Sequence, residues 1–119
     1  ILVDTPACAG ARAILSRALI RSGRPEEALE PARAAMRSVD AFGGLEEFEL
    51  DVRVAHVEAE LASGNRDAGA GALATAVARV HELARALPES ARRTFLTAVP
   101  ASRRLLELGE ALGLGARAK

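Results

Sequence analysis

The sequence predicts an all-α protein, an antiparallel stack of helical hairpins with about six helices. The first observation is the stretch 12–40, in which two helical patterns meet at a tight turn, Ser22-Gly23-Arg24-Pro25. The second is composition: 50% of the residues are hydrophobic but only 3% are aromatic. A core made of Ala, Leu and Val favours closely packed helices over a sheet. The third is that no segment alternates polar and apolar residues with the period of two that a half-buried strand requires.

The first helix is predicted from the signals at its two ends. Thr5 suits the N-cap of a helix and Pro6 its first turn, so the helix is expected over residues 5–22. Gly23 suits the cap that follows, because glycine adopts a positive φ without a Cβ penalty.

The second helix of this hairpin is expected over residues 25–40, with a kink at Pro31, where a backbone hydrogen bond is lost. A second hairpin follows, with helices expected at about 45–63 and 67–87. Its turn contains Gly64, which lies 41 residues after the turn glycine of the first hairpin. This period implies longer helices, or a longer loop between the hairpins, than in the commonest helical repeat of roughly 34 residues.

Two further helices are predicted at the end of the chain, over about 88–98 and 101–112, because a Val-Pro pair separates them. The last of them carries Leu105 and Leu108 on one side and charged residues on the other. We expect it to cap the stack by burying these leucines against the preceding hairpin.

The charge of the chain argues against two classes of partner. Sixteen basic and sixteen acidic residues cancel, so no net charge attracts nucleic acid or a membrane surface. No apolar run approaches the roughly 20 residues that span a bilayer. The charge is uneven, however, with a balance of −7 over residues 25–60 and +3 over residues 88–119. Two interpretations stay open: attraction between these segments within the chain, or a basic C-terminal docking surface for an acidic partner.

No catalytic, cofactor-binding or metal site is expected. His56 and His81 lie 25 residues apart on different predicted helices, and neither belongs to a zinc-binding pair. Cys8 is the only cysteine, so no internal disulfide can form, and a reducing cytoplasm is the simplest setting. The chain has no GxSxG motif. Gly69-Ala70-Gly71 lacks the Gly-Lys-Ser/Thr of a phosphate loop, so it predicts a close helix contact instead.

The first hairpin resembles a tetratricopeptide repeat (TPR). With Gly23 aligned to the turn glycine of that repeat, six further signature positions are occupied by Leu15, Ser16, Leu19, Ala28, Ala32 and Ala35. The C-terminal segment looks like the closing part of long-repeat TPR arrays in bacterial multidomain signalling proteins, through Phe95, Leu96, Val99, Pro100, Arg104, Leu106 and Leu108. Such arrays often follow a serine/threonine kinase domain or the ATPase module of a transcriptional regulator.

Arginine makes up fifteen of the sixteen basic residues, which, with the abundant Ala and Gly, is typical of a GC-rich bacterial genome.

The resemblance implies a non-enzymatic scaffold for protein–protein interaction, in which the first helix of each repeat lines a partner-binding groove. By this alignment the groove residues are Ala13, Arg17, Ile20, Arg21, Asp51, Val54, Glu58 and Leu61. The Lys and Asn clamp of the chaperone-binding subclass is not expected, because the only Asn is Asn65, in a turn. The alternative is a purely structural segment that caps a regulatory array attached to a kinase or ATPase and binds nothing itself.

A single domain over residues 1–119 is expected, with repeat one at about 5–41, repeat two at about 45–87 and capping helices at about 88–113. Repeat two matches the TPR pattern less well, since His56 and Glu60 stand where repeat one has leucines. The chain opens with Ile1 instead of Met. We therefore expect a segment of a longer chain, packed against preceding repeats.

Overall fold

Six α-helices make up most of the chain in a computed structural model, which describes residues 5–45 and 47–113. In chain order they are α1 (Pro6–Arg21), α2 (Pro25–Phe42), α3 (Glu49–Ala62), α4 (Arg66–Arg85), α5 (Glu89–Ala98) and α6 (Pro100–Ala111). Neither described range contains a strand, and the prediction of an all-α fold with about six helices is confirmed. Helix α1 packs on α2, α3 packs on α4 and on the first pair, and α6 packs on α3 and α4.

The tight turns within the two hairpins have the same structure. Gly23 has a φ of 76° and Gly64 a φ of 83°, in the left-handed region that glycine enters without steric cost. In both turns the glycine N–H donates to the carbonyl three residues earlier, and the next N–H donates to a carbonyl five residues before it. These two bonds are those of a Schellman motif. The predicted cap conformation of Gly23 is therefore confirmed.

Small side chains bring α1 and α2 close together. Ala28, Ala32 and Ala35 of α2 are fully buried. Ser16 of α1 donates its hydroxyl to the carbonyl of Ala28 at 2.9 Å, so even the buried polar group on this contact is hydrogen-bonded. At the start of α1, the side chain of Thr5 accepts a backbone N–H of the first turn, as its N-cap position predicts.

The largest apolar cluster lies between the second hairpin and α6. Val57 of α3, Val80 of α4 and Leu105 of α6 are fully buried there. Phe95 and Leu108 pack against the cluster while remaining partly exposed. The prediction that the last helix buries Leu105 against the preceding hairpin is therefore confirmed, and Leu108 is covered only in part.

Gly69 marks a close approach between α3 and α4. A Cβ at this position would lie 2.5 Å from Leu61 Cδ2 and 3.4 Å from the Leu61 backbone nitrogen, so a larger residue would require a shift. The predicted close helix contact is present here. It does not extend to Gly71, where an added Cβ would meet no atom within 4 Å.

The start of α3 differs from the sequence prediction. The helix begins at Glu49 and not at Leu45, because Phe48 has a φ of 67°, outside the right-handed helical region. The Phe48 ring packs over Gly10 of α1, where an added Cβ would lie 2.9 Å from the ring. The carboxylate of Glu49 accepts the N–H of Leu45 at 3.1 Å, which connects Leu45 to the first turn of the helix. Apolar spacing alone carries no signal for such a loop.

The other helix ends lie within two residues of the predicted positions. A second difference concerns α1: Ile14 is 70% exposed and Leu15 is 52% exposed, although both belong to the apolar pattern of that helix. Residues 1–4, Glu46 and residues 114–119, which the predicted domain includes, lie outside the described residues.

Candidate partner-binding groove

Five of the eight predicted groove residues line one open cleft between α1, α3 and α6, which encloses about 490 Å³. We call this cleft the basic groove. Helices α1 and α3 supply the predicted residues, and α6 supplies two that the prediction did not include. The lining side chains used below are Arg17, Ile20, Arg21, Glu58, Leu61, Arg104 and Leu108.

The other three predicted residues lie elsewhere. Ala13 and Val54 are each 1% exposed, inside the helix contacts, so they are not available to a partner in this conformation. Asp51 is exposed at the start of α3, where it lines a separate hollow beside Phe48. The structure therefore brings together the predicted residues nearer the Gly23 and Gly64 turns.

Helical spacing places the lining side chains on common faces. Arg17 and Arg21 are four residues apart on α1, Glu58 and Leu61 three apart on α3, and the α6 pair four apart. The two side chains of each pair therefore lie on the same face of their helix. Because α1 and α6 both pack against α3, these three faces border one cleft.

Charge in the basic groove is unbalanced. One carboxylate oxygen of Glu58 accepts from Arg17 Nε at 3.1 Å and the other accepts from Arg104 Nε at 3.0 Å. Arg21 is exposed and has no ion-pair partner among the described residues. Three guanidinium groups and one carboxylate leave a local charge of +2 beside the apolar side chains of Ile20 and Leu61.

Besides Ala62 at the end of α3, the groove residues that sequence reasoning missed are Arg104 and Leu108. The contact between Arg104 and Glu58 joins residues 46 apart in sequence, and no local pattern reports such a contact. Both residues belong to the segment that resembles the end of TPR arrays, and their four-residue spacing puts them on one helix face. These two features are the only signals that point to them.

His56 belongs to a buried hydrogen-bond cluster around Glu60. Its Nε2 lies 3.0 Å from one Glu60 oxygen, while Arg33 donates twice and Asn65 donates once to the same carboxylate. The Arg33 hydrogen bonds, against the opposing effect of burial, lower the pKa of Glu60 to about 2. The ionised carboxylate of Glu60 thus joins α3 to α2 through Arg33 and to the following turn through Asn65.

A second buried carboxylate, Glu49, organises the other end of α3. It accepts hydrogen bonds from Arg79 of α4, from Arg53 one turn along α3, and from the N–H of Leu45. Burial acts to raise the pKa of Glu49, but the bonds from Arg79, Leu45 and Arg53 outweigh it, and the pKa is lowered. The ionised carboxylate thus ties the loop before α3 to α4.

The described residues contain neither a group of metal-ligating side chains nor a membrane-spanning helix. Within residues 5–45 and 47–113, no three His, Cys, Asp or Glu side chains are grouped so that they could hold a metal ion. His81, the second histidine, lies on α4, apart from the His56 cluster. None of the six helices is both long enough and apolar enough to cross a lipid bilayer.

Comparison with known proteins gives no relative to reason from. No protein-family model matches the sequence, and neither a curated protein nor a solved structure is significantly similar to it. Function therefore has to be inferred from the surfaces of the chain itself.

Proposed function

We propose that this protein is a helical-repeat scaffold of the TPR type that binds a partner protein through the basic groove. The observation that carries the proposal is the convergence of three arginines with aliphatic side chains from three helices in one open cleft. An open cleft with an apolar floor and excess charge suits a peptide segment, which aliphatic side chains anchor and opposite charges orient. The partner segment would combine leucine-like residues with Asp or Glu.

The relation between the two hairpins supports a repeat architecture. Val52, Ala55 and Ala59 of α3 are buried against the first hairpin. Subtracting the 41-residue period gives the equivalent positions on α1, which are Ala11, Ile14 and Ala18, and all three are exposed. The α1 face that corresponds to the covered face of α3 is therefore apolar and uncovered by any described residue.

This uncovered face is the place where a further hairpin would pack if the stack were longer. Ile14 and Leu15 are the two most exposed large apolar residues of the described chain, which is unusual for a surface with no partner. We therefore propose that the chain is part of a longer helical-repeat array in a larger bacterial protein, and that a preceding repeat covers α1.

The second candidate function is a purely structural cap of a regulatory array attached to a kinase or to an ATPase-containing transcriptional regulator. The observation that favours it is the position of α6, which buries Leu105 against α3 and α4 while Arg103, Glu107 and Glu110 stay exposed. A helix with one buried and one polar side is what closes the end of a repeat array. In this alternative the basic groove is a by-product of capping and binds no partner.

Binding of a defined peptide separates the two functions. The probe is a short fluorescent peptide with leucines set between glutamates, titrated with the intact protein and followed by fluorescence anisotropy. Arg21→Glu should weaken binding at least about tenfold, because it removes the unpaired cation of the groove. Arg93→Glu is the matched control, since Arg93 is exposed on α5 outside the groove, and its effect should stay within about twofold.

If the peptide does not bind, or if both arginine variants bind it equally well, the groove is not a peptide site and the capping function stands. A peptide with arginines in place of the glutamates should bind this groove more weakly. Equal binding of both peptides would contradict the charge complementarity on which the proposal depends.

A further inference from the structure

All three aromatic residues of the chain lie near one end of the molecule, opposite the two tight turns. Phe42 ends α2 and is 48% exposed, and Phe48 precedes α3 and is 37% exposed. Phe95 of α5 lines the same region from the other side. Aromatic side chains are enriched in protein interfaces, so a surface on which two partly exposed phenylalanines border hollows is a candidate docking surface.

These residues border two adjoining hollows. The larger encloses about 750 Å³ between the loop before α3, the end of α4 and the junction of α5 and α6. The smaller encloses about 630 Å³ between that loop and the start of α1. Gly44, Leu45 and Phe48 line both hollows. We call the combined surface the aromatic groove, and its apolar lining consists chiefly of Phe42, Leu45, Phe48, Leu83, Leu87 and Phe95.

Contacts on both sides hold Leu45 and Phe48, the two large apolar residues that line both hollows. The left-handed φ of Phe48 costs energy for a residue with a Cβ, and such conformations persist only where the surroundings impose them. Here the ring packs over Gly10, and Glu49 binds the Leu45 N–H and, at 2.7 Å, the Arg79 Nε. These contacts position Leu45 and Phe48 before any partner binds, which lowers the entropic cost of binding.

The charged residues at the rim of the aromatic groove indicate which charge its partner carries. Among the described residues, Arg79 is the only basic one that lines either hollow, and it is bonded to both Glu49 and Glu82. Glu47 and Asp51 are exposed at the rim and have no ion pair with any residue of the described ranges. The charges left without a partner are therefore all acidic, which favours a basic ligand.

We propose that the aromatic groove is a second docking site, for a protein segment that carries large apolar side chains next to basic ones. Two hollows on either side of Phe48 accommodate two apolar anchors, one in each, while arginine or lysine side chains reach Glu47 and Asp51. The site lies away from the basic groove and takes a ligand of the opposite charge. A substitution in one groove should therefore leave binding at the other unchanged.

The test uses a short fluorescent peptide in which a leucine and a phenylalanine lie four positions apart among arginines, titrated with the intact protein. Phe42→Ala should weaken binding at least about tenfold, because anchors of this kind dominate binding energy. Phe42 is about half exposed, so the melting temperature of this variant should fall far less than for a core substitution such as Leu105→Ala. Leu112→Ala is its control, since Leu112 is an exposed apolar residue after the far end of α6, and it should leave binding unchanged.

Asp51→Asn should weaken the same peptide about threefold and reduce the salt dependence of binding. Asp67→Asn is the matched control, because Asp67 is likewise exposed in the first turn of a helix, α4, but lies near the Gly64 turn. The proposal is overturned if the arginine peptide does not bind, if a glutamate version binds as tightly, or if Phe42→Ala leaves the affinity unchanged. It is also overturned if sedimentation shows a dimer of the protein alone that Phe42→Ala abolishes, since a second copy then occupies the groove.

Discussion

Arg33 on α2 donates two hydrogen bonds, each of 2.9 Å, to the carboxylate of Glu60, which is only 3% exposed near the end of α3. This paired contact joins the first hairpin to the second. Asn65, in the turn that follows, adds a hydrogen bond of 2.9 Å to the same carboxylate. Glu60, which stands where the first predicted repeat has Leu19, is therefore one of the main links between the hairpins.

Replacing Glu60 should cost more stability than replacing any exposed glutamate. Glu60→Gln keeps the shape of the side chain but removes the charge from its hydrogen bonds with Arg33, which is 46% exposed, so the expected cost is about 1–2 kcal/mol. Glu110→Gln is the control, because Glu110 is exposed and unpaired among the described residues, and it should cost less than about 0.5 kcal/mol. Urea denaturation at neutral pH measures both; equal midpoints would mean that the Arg33 contact contributes nothing.

The same carboxylate predicts a pH dependence. The pKa of Glu60 is lowered from its ordinary value of 4.5 to about 2, chiefly because Arg33 donates to the ionised form. A lowered pKa in the folded state contributes stability that is complete above the unfolded pKa and is lost as the pH falls through the folded one. About 2 kcal/mol should thus disappear between about pH 5 and pH 2. The free energy of unfolding of Glu60→Gln should not show this loss over the same pH range. If the free energies of the wild type and the variant change in parallel with pH, Glu60 is not the source of the pH dependence.

The backbone of the first turn predicts a contrast between two glycines. Gly23→Val should destabilise the protein by about 1 kcal/mol or more, because a φ of 76° is unfavourable for a β-branched residue, although no atom lies within 4 Å of the added Cβ. Gly71→Ala, inside α4 and also facing open space, should instead stabilise it by about 0.5–1 kcal/mol. Thermal denaturation that shows shifts of the same sign would rule out backbone conformation as the cause.

The contact between α1 and α2 predicts that Ala28 tolerates no larger residue. Ala28 is fully buried and its carbonyl accepts the hydroxyl of Ser16, so a leucine there would separate the helices and cost about 1–3 kcal/mol. Ala74→Leu is the control, since Ala74 is exposed in the middle of α4 and the change should be close to neutral. Chemical denaturation of the two variants gives the comparison. A neutral Ala28→Leu would show that the two helices can move apart freely.

Local signals predicted the helices, their turns and much of the first hairpin. Gly23 and Thr5 could be identified because a cap requires particular residues at fixed positions in sequence. Leu105 could be assigned to the core because its helix has one apolar and one charged side. These predictions needed no knowledge of which helix lies next to which.

Features that depend on contacts between distant parts of the chain could not be predicted in this way. The left-handed Phe48 depends on Gly10 of a different helix, and the burial of Glu49 depends on Arg79. The prediction of groove residues failed to anticipate the burial of Ala13 and Val54, because it assigned whole helix faces to a partner without knowing what else in the chain packs there. The prediction omitted Arg104 and Leu108 for the same reason, because the sequence does not show that α6 lies beside α1 and α3.

The last prediction concerns the position of α6 against α3 and α4. Leu105 is fully buried in the cluster with Val57 and Val80, so Leu105→Ala should cost about 2–5 kcal/mol, while Leu112→Ala should cost almost nothing. Removing residues 100–119 goes further, because it uncovers the apolar surfaces of α3 and α4 that α6 packs against. An apolar surface of this kind promotes association, so the shortened protein should form oligomers in light scattering at concentrations where the whole chain does not. A shortened protein that stays monomeric, with an unchanged melting temperature, would show that α6 is dispensable for the fold. The buried Leu105 argues for the opposite result, because a helix attached only as a docking arm would have no reason to supply a side chain to the core.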